Sequence, residues 1–280
     1  MEIAFTKMNG LGNDFVVIDG RRHALTLTPS LVRQLADRNN PDTRGCDQLL
    51  HILPPRGNGT VFMDIFNADG SRVGACGNGT RAVALLLGLS DCIIETEAGA
   101  LACQLSDDNL VTVNMGPPRL SAAEIPVSNL RIDPRAVQLH DDLPLAILVN
   151  MGNPHAVMFT TEAPQSLALR YGPALEHHPL FPERANINFY RLHKPDHLEM
   201  ATWERGAGLT KACGTGACAT AVAHALAQGF APETFRRLDV PGGTLHIRSD
   251  AETAPVWMRG PAAIEFTGHT HVDLTEAPYG

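Results

Sequence analysis

The 280-residue chain has only three lysines, Lys7, Lys194 and Lys211, which leaves few residues able to form the Schiff base of a pyridoxal-phosphate enzyme. Aromatic residues make up 5% of the sequence and are not spaced as stacking platforms, and the formal net charge is -8. That balance argues against a nucleic-acid partner, whose binding rests on clustered Lys and Arg. No apolar run approaches membrane-spanning length, and Met1–Lys7 does not begin a basic segment followed by an apolar one. These absences predict a cytoplasmic protein with no membrane partner. Six cysteines (Cys46, Cys76, Cys92, Cys103, Cys213 and Cys218) are too sparse and irregular for a disulfide framework, and none has the C-x-x-C spacing of structural zinc. The histidines form no H-E-x-x-H pattern, so no metal is expected.

What is present is a globular composition, 44% hydrophobic and 19% charged, in a chain long enough for two domains. It is also written twice. Ala75-Cys76-Gly77-Asn78-Gly79 recurs 137 residues later as Ala212-Cys213-Gly214-Thr215-Gly216. Phe66-Asn67 and Trp203-Glu204 stand nine residues ahead of the two cysteines, each closing a strand-like run. Gly12-Asn13 is echoed by Gly152-Asn153, again beside apolar runs. Each cysteine opens a stretch of helix formers, through Leu87 in one copy and Ala227 in the other, ending near Gly88 and Gly229. These stretches are apolar nearly all round, which predicts one buried central helix per half. Short β-like runs follow both. The expected fold class is α+β: two similar domains from an internal duplication, each a mostly antiparallel β-structure wrapped around a central helix. The expected boundaries are 1–118 and 119–262.

A cysteine just ahead of a helix sits where unpaired N–H groups and the positive end of the macrodipole meet. That position should lower a thiol pKa from about 8.5 toward neutrality. It should also hold a carboxylate on the N–H groups of Gly77, Asn78, Gly214 and Thr215. If an approximate two-fold relates the halves, both helix starts converge on one substrate. A thiolate facing a thiol then supplies the base and the acid of a cofactor-free epimerisation. For Cys46, Cys92, Cys103 and Cys218 a buried core role is expected instead.

Glu204-Arg205 places opposite charges at a strand end ahead of the second cysteine, suited to an ammonium and a carboxylate. A surface ion pair is the alternative reading. Asn13, Asn67, Asn153 and Asn186 are neutral amides able to orient a zwitterion, or simply turn residues. His155 is open between proton movement and satisfying a backbone group. Two rival functions stay open at this point. Gly77–Ala82 and Gly214–Ala219 both fit a dinucleotide-binding G-x-G-x-x-G/A pattern, though no strand feeds directly into the glycines. Activated thiols also suit a redox sensor.

The chain resembles the diaminopimelate epimerase family along nearly its whole length. The resemblance rests on Met8–Phe15, Cys46–Leu50, Phe66–Ser71, Ala75–Gly79, Met151–His155, Phe181–Asn186, Glu204–Gly208 and Ala212–Gly216. It implies a cofactor-independent isomerase acting on LL- and meso-2,6-diaminopimelate, with Cys76 and Cys213 as the catalytic pair. It implies substrate binding by Asn13, Gln48, Asn67, Asn153, Asn186 and Arg205, and by backbone N–H at Gly77-Asn78 and Gly214-Thr215. Glu204 and His155 would flank the reacting centre. Gln48 enters through the resemblance alone. It further implies a homodimer, and a last strand, within residues 263–280, that returns to the first domain.

Overall fold

The computed structural model describes residues 1–22 and 25–272. In chain order the elements are β1 (Glu2–Gly10), β2 (Asn13–Asp19), α1 (Pro29–Ala36), β3 (Gln48–Leu53), β4 (Val61–Asn67), α2 (Gly77–Leu87), β5 (Asp91–Thr96), β6 (Gly99–Leu105) and β7 (Leu110–Asn114). They continue as β8 (Ala146–Asn150), β9 (Pro154–Phe159), α3 (Pro164–Glu176), β10 (Asn186–Lys194), β11 (His197–Glu204), β12 (Gly208–Leu209), α4 (Gly214–Gln228), β13 (Arg236–Val240), β14 (Gly243–Ser249), β15 (Val256–Pro261) and β16 (Ala263–His271). The chain forms two compact units. One holds Met1–Val111 and the stretch from Pro261 onward, the other Thr112–Gly260. The sequence placed these divisions at 118/119 and 262/263. Residues 273–280 of the expected returning segment lie outside the described residues.

In the first unit the strands run in the order β16-β1-β2-β3-β4-β5-β6. β16 returns to pair antiparallel with β1. The pairs β1/β2, β3/β4 and β5/β6 are antiparallel, whereas β2/β3 and β4/β5 are parallel. The second unit repeats this alternation. Pairs β8/β9, β10/β11 and β13/β14 are antiparallel, and β9/β10 and β11/β13 are parallel. The duplicated sequence thus folds into a duplicated topology that is α+β and mostly antiparallel.

The parallel pairs account for helices that the sequence left unpredicted. A parallel connection needs a crossover, and α1 bridges β2 to β3 as α3 bridges β9 to β10. Each carries proline in its first turn, where the missing N–H costs nothing. Their signals are weak because α1 has only eight residues and α3 contains Pro173.

The central helices occur where the cysteines announced them. α2 packs against β1, β2, β5, β6 and β16, and α4 against β8, β9, β10, β11 and β14. Gly88 ends α2 in the left-handed conformation (φ 65°), its N–H returning to the carbonyls of Ala84 and Leu85. Neither helix is wholly apolar, since the fully buried Arg81 lies in α2 and the buried His224 in α4. Separate cores complete the units. Ile3, Val16, Leu31, Leu35, Leu49 and Phe66 lie in the first, and Leu148, Met158, Leu167, Ile187, Phe189 and Ala201 in the second.

Candidate active-site residues in each half

In the first half, β2, β3 and β4 lie side by side. Phe15 is opposite Gln48, and Gln48 is opposite Asn67. Strand alternation then puts Asn13, two residues before Phe15, on the face that carries Gln48 and Asn67. Gln48 Nε2 donates to Asn67 Oδ1 at 3.2 Å, and Asn67 Nδ2 donates to Ser71 Oγ at 3.0 Å. The remaining acceptors, Asn13 Oδ1 and Gln48 Oε1, are buried with no hydrogen-bond partner among the described residues. Orphaned buried carbonyls are costly, and these two are suited to a donor supplied by a ligand. The sequence did hold a signal for Gln48: it stands 138 residues before Asn186, at the matching place on the duplicated strand.

Charge holds this amide face in place. Asp14 bonds Lys7 at 2.5 Å and receives two bonds from Arg38, at 2.5 and 2.8 Å, while Arg38 also reaches Asp47. Burial opposes ionisation of Asp14, but Arg38 and Lys7 outweigh it and hold the carboxyl well below the usual range. Asp47 N–H donates to the Asp14 carbonyl and Asp14 N–H to Asp47 Oδ2, each at 3.1 Å, and these bonds lock the entry to β2 against the entry to β3.

Cys76 is the N-cap of α2. Its backbone is extended (φ -149°), its carbonyl accepts from Thr80 N–H, and its sulfur accepts from Gly79 N–H at 3.2 Å. Gly77 and Asn78 form the first turn, and Asn78 Oδ1 accepts from Arg81 Nη2 at 2.9 Å. Cys213 caps α4 likewise, with Gly216 N–H at 3.4 Å from its sulfur and Ala217 N–H on its carbonyl. Gly214 and Thr215 supply its first turn, and the Thr215 hydroxyl lies 3.6 Å from the sulfur.

The expectation of a lowered thiol pKa fails at Cys213. The residue is 5% exposed while Cys76 is half-buried. Burial, joined by the Glu204 charge, pushes the Cys213 thiol well above its ordinary range against the smaller opposing pull of Thr215 and Gly216. Burial likewise raises Glu204, while bonds from Thr210 and Cys213 pull the other way. A helix start lowers a thiol pKa only while the sulfur keeps some solvent, and here desolvation wins.

Glu204 and Arg205 do not pair. Glu204 closes β11 and turns to Thr210 and Cys213, whereas Arg205 opens the turn that follows. Arg205 is exposed, bonds the Glu183 carbonyl at 3.0 Å, and has no carboxylate partner among the described residues. Asn186 secures the loop, its Oδ1 accepting from Arg205 N–H at 2.9 Å and its Nδ2 donating to the Pro154 carbonyl at 3.1 Å. The same loop is braced by Glu176 at the end of α3, which accepts from Trp203 Nε1 at 2.8 Å and Gly206 N–H at 2.9 Å. Glu176 was not singled out from the sequence, where nothing distinguishes it from a surface carboxylate.

His155 is 1% exposed, and burial drives its pKa down to about 3. Both ring nitrogens are occupied, Nδ1 by Asn188 and Nε2 by Asn153, each at 3.0 Å. The G-x-G-x-x-G reading also meets its geometry here. β4 stops at Asn67 and a loop runs to Cys76, and β12 stops at Leu209 ahead of Cys213, so no strand feeds directly into either set of glycines and the dinucleotide turn is not formed.

The family model described as diaminopimelate epimerase matches residues 5–121 and 147–265. The chain belongs to the diaminopimelate epimerase family. Among proteins carrying that name, one from Rhodospirillum centenum is 46% identical over 273 residues, covering 94% of this chain and 91% of its own. Another from Zymomonas mobilis is 45% identical, covering 96% of this chain and 97% of its own. Among solved structures, a probable proline racemase from Agrobacterium radiobacter superposes with a TM-score of 0.64 at 14% identity, covering 97% of this chain and 93% of that one. A hydroxyproline epimerase from Agrobacterium vitis gives 0.63 at 16%, covering 96% and 91%. These two share the fold of the diaminopimelate epimerase family.

Proposed function

We propose that this protein interconverts LL- and meso-2,6-diaminopimelate without a cofactor, Cys76 and Cys213 working on opposite faces of one α-carbon. The observation that carries this reading is the repeated N-cap cysteine, a sulfur held by the third N–H of a buried helix in each half. The reaction breaks the α-C–H bond as a thiolate takes the proton, and the opposing S–H delivers its own proton to the other face. The roles exchange when the direction reverses. The raised pKa of Cys213 suits it to wait as the proton donor, with Glu204 beside it to take up the proton when it must act as base.

The reacting carboxylate rests on the first-turn N–H groups at Gly77-Asn78 and Gly214-Thr215, which stabilise the charge that develops as the carbanion forms, at about 3 kcal/mol per donor. Asn13, Gln48 and Asn67 accept from and orient the ammonium groups. Arg205, with no carboxylate partner among the described residues, takes the distant carboxylate, and Asn153 and Asn186 complete that end. The protein would act as a cytoplasmic homodimer in lysine and cell-wall precursor synthesis. The relatives of the same name at 45–46% identity over nearly the whole chain support the substrate assignment.

The test is α-deuterium incorporation from D2O into LL-diaminopimelate by the purified, reduced enzyme with nothing added. Incorporation together with meso product is expected. Absence of exchange with both thiols titrated as free would reject the reading.

A further inference from the structure

Four buried or half-buried groups in the second half form a single chain of hydrogen bonds. The Thr202 hydroxyl donates to Asn188 Oδ1 at 2.8 Å, and Asn188 Nδ2 donates to His155 Nδ1 at 3.0 Å. A ring that accepts at Nδ1 and is neutral carries its one proton on Nε2. That proton is donated to Asn153 Oδ1 at 3.0 Å. With its oxygen engaged, Asn153 has its amide NH2 left over, and no protein acceptor for it is present among the described residues.

The first half builds the matching frame without such a chain. On the duplicated strands Asn188 stands opposite Thr202, as Leu50 stands opposite Ile65 in the first half, and His155 stands opposite Asn186 as Phe15 stands opposite Gln48. The first half therefore builds the same frame on Phe15, Leu50 and Ile65, all at most 1% exposed and all apolar. Burying three polar side chains where apolar ones serve gains no stability unless every bond is made. Such a network is retained for what it directs. The chain also lies under the second cysteine loop: a Cβ on Gly216 would come within 2.8 Å of Asn188 Oδ1 and 2.9 Å of Thr202 Oγ1.

We propose that Asn188 is a positioning residue that, through the Nε2–H tautomer of His155, fixes Asn153 as a hydrogen-bond donor toward a substrate carboxylate. His155 then orients an amide and carries no proton in turnover. The burial that keeps the ring neutral agrees with this. The identity of the substrate rests on the epimerase reading; the direction of the hydrogen-bond chain does not.

Two measurements separate these. Long-range 1H–15N correlation on the labelled protein at neutral pH, with His155→Gln for assignment, is expected to show a single Nε2–H tautomer. An Nδ1–H tautomer would mean that the chain runs the other way, with the Asn153 oxygen outward, and would overturn the proposal. This readout stands whether or not diaminopimelate is turned over. Addition of LL-diaminopimelate is expected to shift the Asn153 side-chain NH2 signals, and signals unmoved at saturation reject the donor role. Asn188→Leu installs the first half's residue, and the nearly isosteric Thr202→Val removes only the hydroxyl that orients the amide. Each is expected to raise KM, about tenfold for Asn188→Leu, while kcat stays within about threefold. Folded variants of both that keep the wild-type KM would also overturn the proposal. Loss of wild-type turnover with the expected tautomer would instead remove the epimerase reading.

Discussion

The two halves share a strand order, a pairing pattern and a capped cysteine, yet they hold their functional groups by different physics. In the first, an ionic cluster running from the buried Lys7 through Asp14 to the exposed Arg38 and Asp47 clamps the strand entries, and the floor beneath the cysteine helix is Phe15, Leu50 and Ile65. In the second, buried amides and the Glu176 carboxylate secure the corresponding loops, and the floor is His155, Asn188 and Thr202. Among the described residues, the first half leaves two amide oxygens unsatisfied and the second leaves the Arg205 guanidinium without an acid. Duplication supplied one frame twice, and divergence filled it with different side chains.

The strongest way to break this comparison is to exchange floors. Leu50→Asn places a lone amide where no partner waits and is expected to cost about 3 kcal/mol in urea unfolding. A variant as stable as wild type would show that the first floor tolerates polarity. A smaller contrast concerns the glycines over each floor. Gly216→Ala drives a methyl group into two hydrogen-bonded oxygens and should cost about 2 kcal/mol. Gly79→Ala meets only the flexible tips of Leu50 at 3.1 and 3.2 Å and the Cys76 sulfur at 3.4 Å, so the gain in helix propensity, about 1 kcal/mol, should nearly offset the crowding. Equal losses at both sites would dissolve the distinction.

A third contrast lies in pH. The folded His155 pKa of about 3 lies below the ordinary 6.5. Between those values the unfolded chain binds the proton and the folded one does not, so the contribution present above pH 6.5 is lost as pH falls toward 3. His155→Phe, the first half's residue, should flatten the fall of Tm across that window relative to wild type. Parallel Tm curves would show that the ring is not buried neutral.

Repetition made much of this legible in advance. The cysteine motif located both central helices to within their first turns, because an N-cap, glycines and a run of helix formers are local signals. Asn13, Asn67 and Asn153 were marked by their place in the repeat. The helices α1 and α3 escaped, since a short proline-led crossover is demanded by parallel pairing between strands distant in sequence. Asn188, Thr202 and Glu176 escaped because nothing local separates a buried polar side chain from a solvated one.

What the amino-acid sequence determined by itself was the duplication, the α+β class, the two capped helices and the residue types able to act on a zwitterion, all written in spacings of a few residues or in one long repeat. Tertiary structure alone decided the environments: that Glu204 turns from Arg205 toward Cys213, that Cys213 loses the solvent a helix start would exploit, and that His155 is enclosed between two amides. Burial and partner geometry set proton affinity and hydrogen-bond direction, and both depend on strands brought together from distant parts of the chain.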